Sequence, residues 1–199
     1  SDISRQDVLS VFAGLRPLVK VPGQKNTALM PRDHTIIVSG SNLVTITGGK
    51  WTTYRKMAKV AVDNALFVAK LERRACVTES LRVHGWLSEN NTDDPMSYYG
   101  SDADAIRKLE GQNPEWSEKI HEAHPWIKAQ VIWAVRQEMA MTVEDVLARR
   151  IRMLFLDARA AIDAAPEVAR LMAAEMGKDE SWQQQQVNAF TALAKGYLL

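Results

Sequence analysis

The residues of this sequence best spaced for chemistry are Gly48-Gly49-Lys50-Trp51-Thr52-Thr53-Tyr54-Arg55. An alternating run, Leu43-Val44-Thr45-Ile46-Thr47, leads into them, and a strongly periodic helix leaves them. A strand, two glycines and a helix start leave a row of backbone N–H groups without intrahelical acceptors. Those groups lie at the positive end of the helix dipole. Such a turn favours an anion or a developing negative charge, and Lys50 adds a formal positive charge. The alternative is an ordinary strand-to-helix connection, in which glycine simply supplies positive φ. A phosphate-binding P-loop is excluded, because it needs glycine at Val44 and Ser or Thr at Trp51.

Arg16 is the second candidate. Pro17 holds it extended, so its guanidinium projects from the end of a strand spanning Val8–Phe12; the alternative is a solvated surface arginine. His121 and His124 lie three apart, whereas a His-Glu-x-x-His metal site needs four, and Pro125 ends their helix. They are not read as metal ligands. His34 and His84 are isolated. Glu138, Asp145, Arg149, Arg150 and Arg152 read as ion pairs tying consecutive helices together. Cys76 has no adjacent base that would make it a reactive thiolate, and the tryptophans read mostly as core.

The elements that must position these residues fall into two kinds. Thr35–Val38 and Leu43–Thr47 read as strands joined by a hairpin turn at Ser39-Gly40-Ser41-Asn42. With Val8–Phe12 they make three strands, too few for a sheet covered on both faces. Tyr54, Met57, Ala58, Ala61, Val62, Ala65, Leu66 and Ala69 then repeat at helical spacing. Residues 71–100 read as a connector of irregular structure with room for one short strand. From Ser101 the chain reads as roughly six helices joined by short connections. Starts are expected at Asn113-Pro114, Pro125 and Thr142, the last helix of these running to Pro166. A shorter helix closes at Gly177, and a final one begins near Asp179. The fold class is α+β, mainly helical. The domains are expected at 1–70, a β-strand remnant with one long helix, and at 101–199, joined by 71–100.

Composition narrows the partners. The net charge of +1 offers nothing to nucleic acid, and a single cysteine excludes an internal disulfide framework and suits a reducing compartment. No apolar run approaches the ~18 residues of a membrane span; peripheral association needs no such run.

Three stretches together resemble the FAD-dependent glycerol-3-phosphate dehydrogenases: Phe12-Ala13-Gly14-Leu15-Arg16-Pro17-Leu18, Arg32-Asp33-His34, and Gly48-Gly49-Lys50-Trp51-Thr52-Thr53-Tyr54-Arg55-Lys56-Met57-Ala58. Thr142-Val143-Glu144-Asp145-Val146-Leu147-Ala148-Arg149-Arg150 resembles the helical C-terminal domain of the same family. Trp51 departs from the family's usual leucine. The resemblance spans essentially the whole chain, yet the family's Gly-rich dinucleotide-binding unit is not in it.

The resemblance implies the C-terminal portion of a flavoprotein. That enzyme would pass a hydride from C2 of sn-glycerol 3-phosphate to FAD, give dihydroxyacetone phosphate, and hand electrons to a quinone or another acceptor. It implies Gly48, Gly49, Lys50, Trp51 and Thr52 at the flavin, and Arg16 and Lys50 on the substrate, with Arg16 holding the phosphate. No residue here is assigned as the base. The segment alone is expected to be inactive. The whole enzyme is expected to be cytoplasmic or peripheral on the inner face of a membrane, with a homodimer as one option. The competing reading makes the helical domain an interaction module that docks to itself, an acceptor subunit or a membrane.

Overall fold

The computed structural model describes residues 2, 4–15, 33–89 and 92–199. The chain divides into two compact units, Gly14–Arg82 and the pair Ser1–Ala13 with Val83–Leu199. The seam at Arg82–Val83 falls inside the 71–100 connector. The fold is α+β and mainly helical.

In the smaller unit, β1 (His34–Val38) and β2 (Val44–Gly48) pair antiparallel, with His34 opposite Gly48 and Val38 opposite Val44. The hairpin forms where Gly40 and Asn42 allow it. Asn42 N–H donates to Ser39 O at 3.0 Å, Asn42 itself takes φ 66°, and Ser39 N–H closes on Leu43 O at 3.0 Å. That is the three-residue loop with a left-handed last residue that suits strand twist. Helix α1 (Tyr54–Val68) follows as the periodicity requires and packs on β2. None of its residues is buried, and Val62 and Phe67 are exposed.

The larger unit contains the core. Its helices are α2 (Ala103–Glu110), α3 (Lys128–Gln137), α4 (Met153–Leu156), α5 (Ala158–Met176) and α6 (Glu180–Ala194). α5 packs against both α3 and α6. Its alanines at 158, 160, 161, 164, 165, 169 and 173 are all buried and let the neighbouring helices approach closely. Phe190, Ile106, Leu147, Leu154 and Met172 fill the centre, each contributing about 1.5–3 kcal/mol by leaving water. Asp157 and Asp179 cap α5 and α6, accepting from Ala160 N–H at 2.9 Å and Trp182 N–H at 2.8 Å. Gly177 ends α5 at φ 63°, the left-handed position that favours glycine.

Several expectations are corrected. Among the described residues Val8–Phe12 pairs with no strand; it lies along the helical unit. Val11 N–H donates to Tyr197 O at 2.9 Å, Ala158 N–H to Leu9 O at 3.1 Å, and Ser10 Oγ to Leu154 O at 2.8 Å. The Leu9 carbonyl and the Val11 N–H, which a ladder would have used, are satisfied by helix termini instead. Among the described residues the sheet therefore has two strands, and the connector has none. The helix expected from Thr142 to Pro166 is broken. Thr142 and Asp145 cap each other reciprocally, Asp145–Arg150 forms a π-helical turn, and Arg152 at φ 59° interrupts the chain before α4. Pro166 lies inside α5, where the buried alanine face offsets the lost hydrogen bond. Asn113-Pro114 starts only a 3-10 turn, Pro114–Ser117. Helix α3 begins at Lys128 rather than Pro125, because Lys119 and Ile127 first form a β-bridge. No helix among the described residues is long and apolar enough to cross a membrane.

Candidate functional site

The turn after β2 is built as its sequence requires. Gly48 and Gly49 take φ 76° and 87°, values that side chains disfavour. Lys50 returns to extended backbone (φ −132°, ψ 150°), and a 3-10 turn, Trp51–Thr53, runs directly into α1. Gly49 is required by its positive φ, and its missing Cβ also leaves room for the flexible end of Met57. A Cβ there would sit 2.7 Å from Met57 Cε and 3.4 Å from His34 Cβ. Met57 of α1 and His34 of β1 thus flank the turn from inside, while Lys50, Trp51 and Thr52 are exposed. Trp51 stacks on Tyr54 with ring centroids 5.6 Å apart.

The first Thr53 hydrogen bonds belong to the turn itself. Thr53 N–H donates to Lys50 O at 3.0 Å, and Thr53 Oγ1 donates to the same oxygen at 3.0 Å. Lys50 N–H donates to Thr53 Oγ1 at 3.4 Å. The N–H groups of Trp51 and Thr52 precede the first helical bond and have no intrahelical acceptor. The structure therefore brings five of the expected residues, Gly48, Gly49, Lys50, Trp51 and Thr52, into one exposed turn. Arg16 and Arg32 lie outside the described residues. Two residues at the turn have no role there in the sequence reading. Thr53 carries a side-chain signal, a hydroxyl three residues after the extended Lys50. His34 could be placed beside Gly48 only once the strand register was known.

The other candidates resolve into packing. Arg150 Nε donates to Glu138 O at 3.2 Å and lies 3.6 Å from its carboxylate; burial raises the Glu138 pKa even so. Arg149 pairs with Asp145 at 3.1 Å and with Glu144. Burial opposes the Asp145 charge, but N–H donors from Met141 and Thr142 outweigh it and lower its pKa. Among the described residues Arg152 pairs with no carboxylate; its guanidinium lies 5.3 Å from the Phe155 ring centroid. His124 lies 3.4 Å from Asp157 and stacks on Trp126. Trp126 is buried and Trp116, Trp133 and Trp182 pack on the core, whereas Trp51 and Trp86 are exposed. Cys76 Sγ lies 3.0 Å from Thr78 Oγ1, and that hydrogen bond lowers its thiol pKa.

A cavity of about 460 Å³ in the helical unit is lined by His84, Tyr98, Tyr99, Asp102 and Glu138 among others. His84 Nε2 lies 2.7 Å from Asp102. Among the described residues no lysine or arginine lines it.

A family described as the C-terminal domain of alpha-glycerophosphate oxidase matches residues 38–185. The chain belongs to that family. It is 36% identical to a Caenorhabditis elegans protein called "Probable glycerol-3-phosphate dehydrogenase, mitochondrial", over 93% of this chain and 28% of that one. It is 34% identical to the mitochondrial glycerol-3-phosphate dehydrogenase of Arabidopsis thaliana, over 93% of this chain and 34% of that one. Its fold is similar to the X-ray structure of the glycerol-3-phosphate dehydrogenase from Bacillus halodurans complexed with FAD. There the TM-score is 0.72 and the identity 26%, covering 97% of this chain and 41% of that chain. The chain thus spans about a third of the length of the curated relatives it matches.

Proposed function

We propose that this chain is the C-terminal part of a flavin-dependent oxidoreductase that converts sn-glycerol 3-phosphate to dihydroxyacetone phosphate. The observation that carries the reading is the glycine turn at Gly48–Thr52, found in a chain of this family. Its donor set fits a flavin's pyrimidine end. Two glycines without Cβ allow close approach, and the Trp51 and Thr52 N–H groups are not used within the helix. Lys50 adds positive charge where negative charge develops. FAD bound there supplies the acceptor for a hydride from C2 of the substrate.

The chain's own residues do the rest of the work assigned to this segment. Fixed N–H dipoles aimed at a developing charge lower the barrier without reorganising during reaction. Lys50 steadies the same charge and contacts the substrate. Arg16 offers the substrate phosphate a planar, bidentate fork. A quinone takes the electrons, through peripheral contact with a membrane. The segment by itself is inactive, because so much of the relatives' length lies outside it.

The test joins this chain behind the N-terminal part of the Bacillus halodurans enzyme. Stoichiometric FAD binding, and anaerobic bleaching of the flavin by glycerol 3-phosphate, are the expected results. The 199-residue chain alone should show no turnover with a dye acceptor. A fused enzyme that binds FAD but is not bleached by glycerol 3-phosphate would sink the substrate assignment.

A further inference from the structure

We propose that Thr53 is a positioning residue whose hydroxyl, together with its own N–H, holds the two peptides that set the direction in which the Trp51 N–H is presented. This rests on the reading of the turn as flavin-facing. Both polar backbone groups of Lys50 are tied to Thr53: its carbonyl accepts from Thr53 Oγ1 and Thr53 N–H, each at 3.0 Å, and its N–H reaches Thr53 Oγ1 at 3.4 Å. A trans peptide is planar, so its C=O and N–H point in opposite directions. With the Lys50 carbonyl turned toward Thr53, the Trp51 N–H across the same peptide is turned away from the helix. With the Lys50 N–H also drawn to Thr53, the Gly49 carbonyl is turned the opposite way. The hydroxyl thus shares the hold on the Lys50–Trp51 peptide with the Thr53 N–H, and it is the contact that holds the Gly49–Lys50 peptide.

The need for such a clamp follows from the sequence. Gly48 and Gly49 have the widest choice of φ and ψ in the chain, so nothing on the strand side holds the Gly49–Lys50 peptide. The helix side must hold it. A hydroxyl can both donate and accept there, which no aliphatic side chain can do. Thr53→Val keeps the β-branched shape and removes both hydroxyl contacts; Thr53→Ser keeps them.

Two measurements test the proposal. In the 199-residue chain, amide exchange at Lys50 should quicken about three- to tenfold in Thr53→Val, the loss expected for one modest hydrogen bond. It should stay at the wild-type rate in Thr53→Ser. In the fused enzyme, Thr53→Val should lower the preference for reduced over oxidised flavin about tenfold, a fall of about 30 mV in midpoint potential for a two-electron couple. kcat should fall while KM for glycerol 3-phosphate stays at the wild-type value, and Thr53→Ser should restore both potential and kcat. Wild-type exchange at Lys50 in Thr53→Val would overturn the clamp. An altered exchange rate with an unchanged potential would overturn its role toward the flavin. Failure of the unsubstituted fused enzyme to bind FAD would overturn the flavin reading of the turn, and the exchange rates would still decide the clamp.

Discussion

The thioether of Met57 occupies the space that a Cβ on Gly49 would take. Helix α1 and the glycine turn are therefore in contact through a side chain one helical turn beyond the turn's end. Gly49→Ala meets the flexible end of Met57, which can move aside, and the positive φ of 87°, which cannot. The second alone costs about 1–3 kcal/mol for a residue with a side chain. In the fused enzyme Gly49→Ala should lose FAD, and adding Met57→Ala should recover only part of the affinity. Complete recovery, read by flavin titration, would mean that the backbone conformation imposes no constraint.

Arg16 and Lys50 are expected to act on substrate and flavin differently. Arg16→Lys keeps the charge and loses the bidentate fork. A charged hydrogen bond of ~1.5–3 kcal/mol corresponds to roughly one to two decades in kcat/KM at ~1.4 kcal/mol per decade. The loss should appear mainly in KM, with FAD retained. Lys50→Ala should lower the flavin midpoint potential, because a positive charge near the reduced ring is removed. Unchanged kcat/KM and potential in the two fused variants would remove both residues from the site.

Glu167 anchors an ion-pair network between α5 and the first residue of α3. Arg170 lies 2.8 Å from it and Lys128 2.7 Å. Arg170, and then Lys128, hold its carboxyl well below the ordinary 4.5, at about 2, against the opposing effect of burial. Burial disfavours the Lys128 charge, but Glu167 and Glu118 overcome that and raise its pKa. Since the folded pKa of Glu167 is depressed, its contribution is complete above its unfolded value near 4.5 and is lost as pH falls toward about 2. Glu167→Gln should cost about 1.5–3 kcal/mol at pH 7. Urea unfolding of both proteins should show that difference shrinking from pH 4.5 downward; a gap independent of pH would assign the loss to packing alone.

The first residues brace the helical unit. Removing residues 1–13 takes away the partners of Ala158 N–H and Tyr197 O and the edge contact between Phe12 and Phe155, whose ring centroids lie 5.1 Å apart. The bonds from Ser10 Oγ to Leu154 O and from Arg159 to Val8 O are lost as well. Four hydrogen bonds at about 0.5–1.5 kcal/mol each, and ~2–4 °C per kcal/mol at this size, predict a fall of several degrees or more in Tm. The far-ultraviolet helical signal should persist. An unchanged Tm would show that the segment is merely lying on the surface.

Much of the chain could be read without its structure because the relevant physics is local. The spacing of Tyr54 to Leu66 commits α1 to a helix, and Ser39–Asn42 can close only a tight turn. Asp179, Gly177 and the Thr142–Asp145 pair mark helix ends through bonds spanning a few residues. Gly48 and Gly49 announce positive φ by composition alone. The candidate site lay in one contiguous stretch, so most of it was visible for the same reason.

What the tertiary structure decided were the cases in which a local preference had more than one way to be satisfied. Val8–Phe12 is β-prone, but its partners are Tyr197, Leu154 and Ala158, whose proximity no nearby residue encodes. Pro166 ends a helix unless distant packing compensates, and the alanine face of α5 against α3 and α6 does so. The break at Arg152 and the register that sets His34 beside Gly48 are likewise outcomes of packing. The sequence by itself determined which segments could bend, cap or coil; only the folded chain decided which distant groups satisfied their backbone hydrogen bonds, because an extended or helical peptide leaves that choice open until another element arrives.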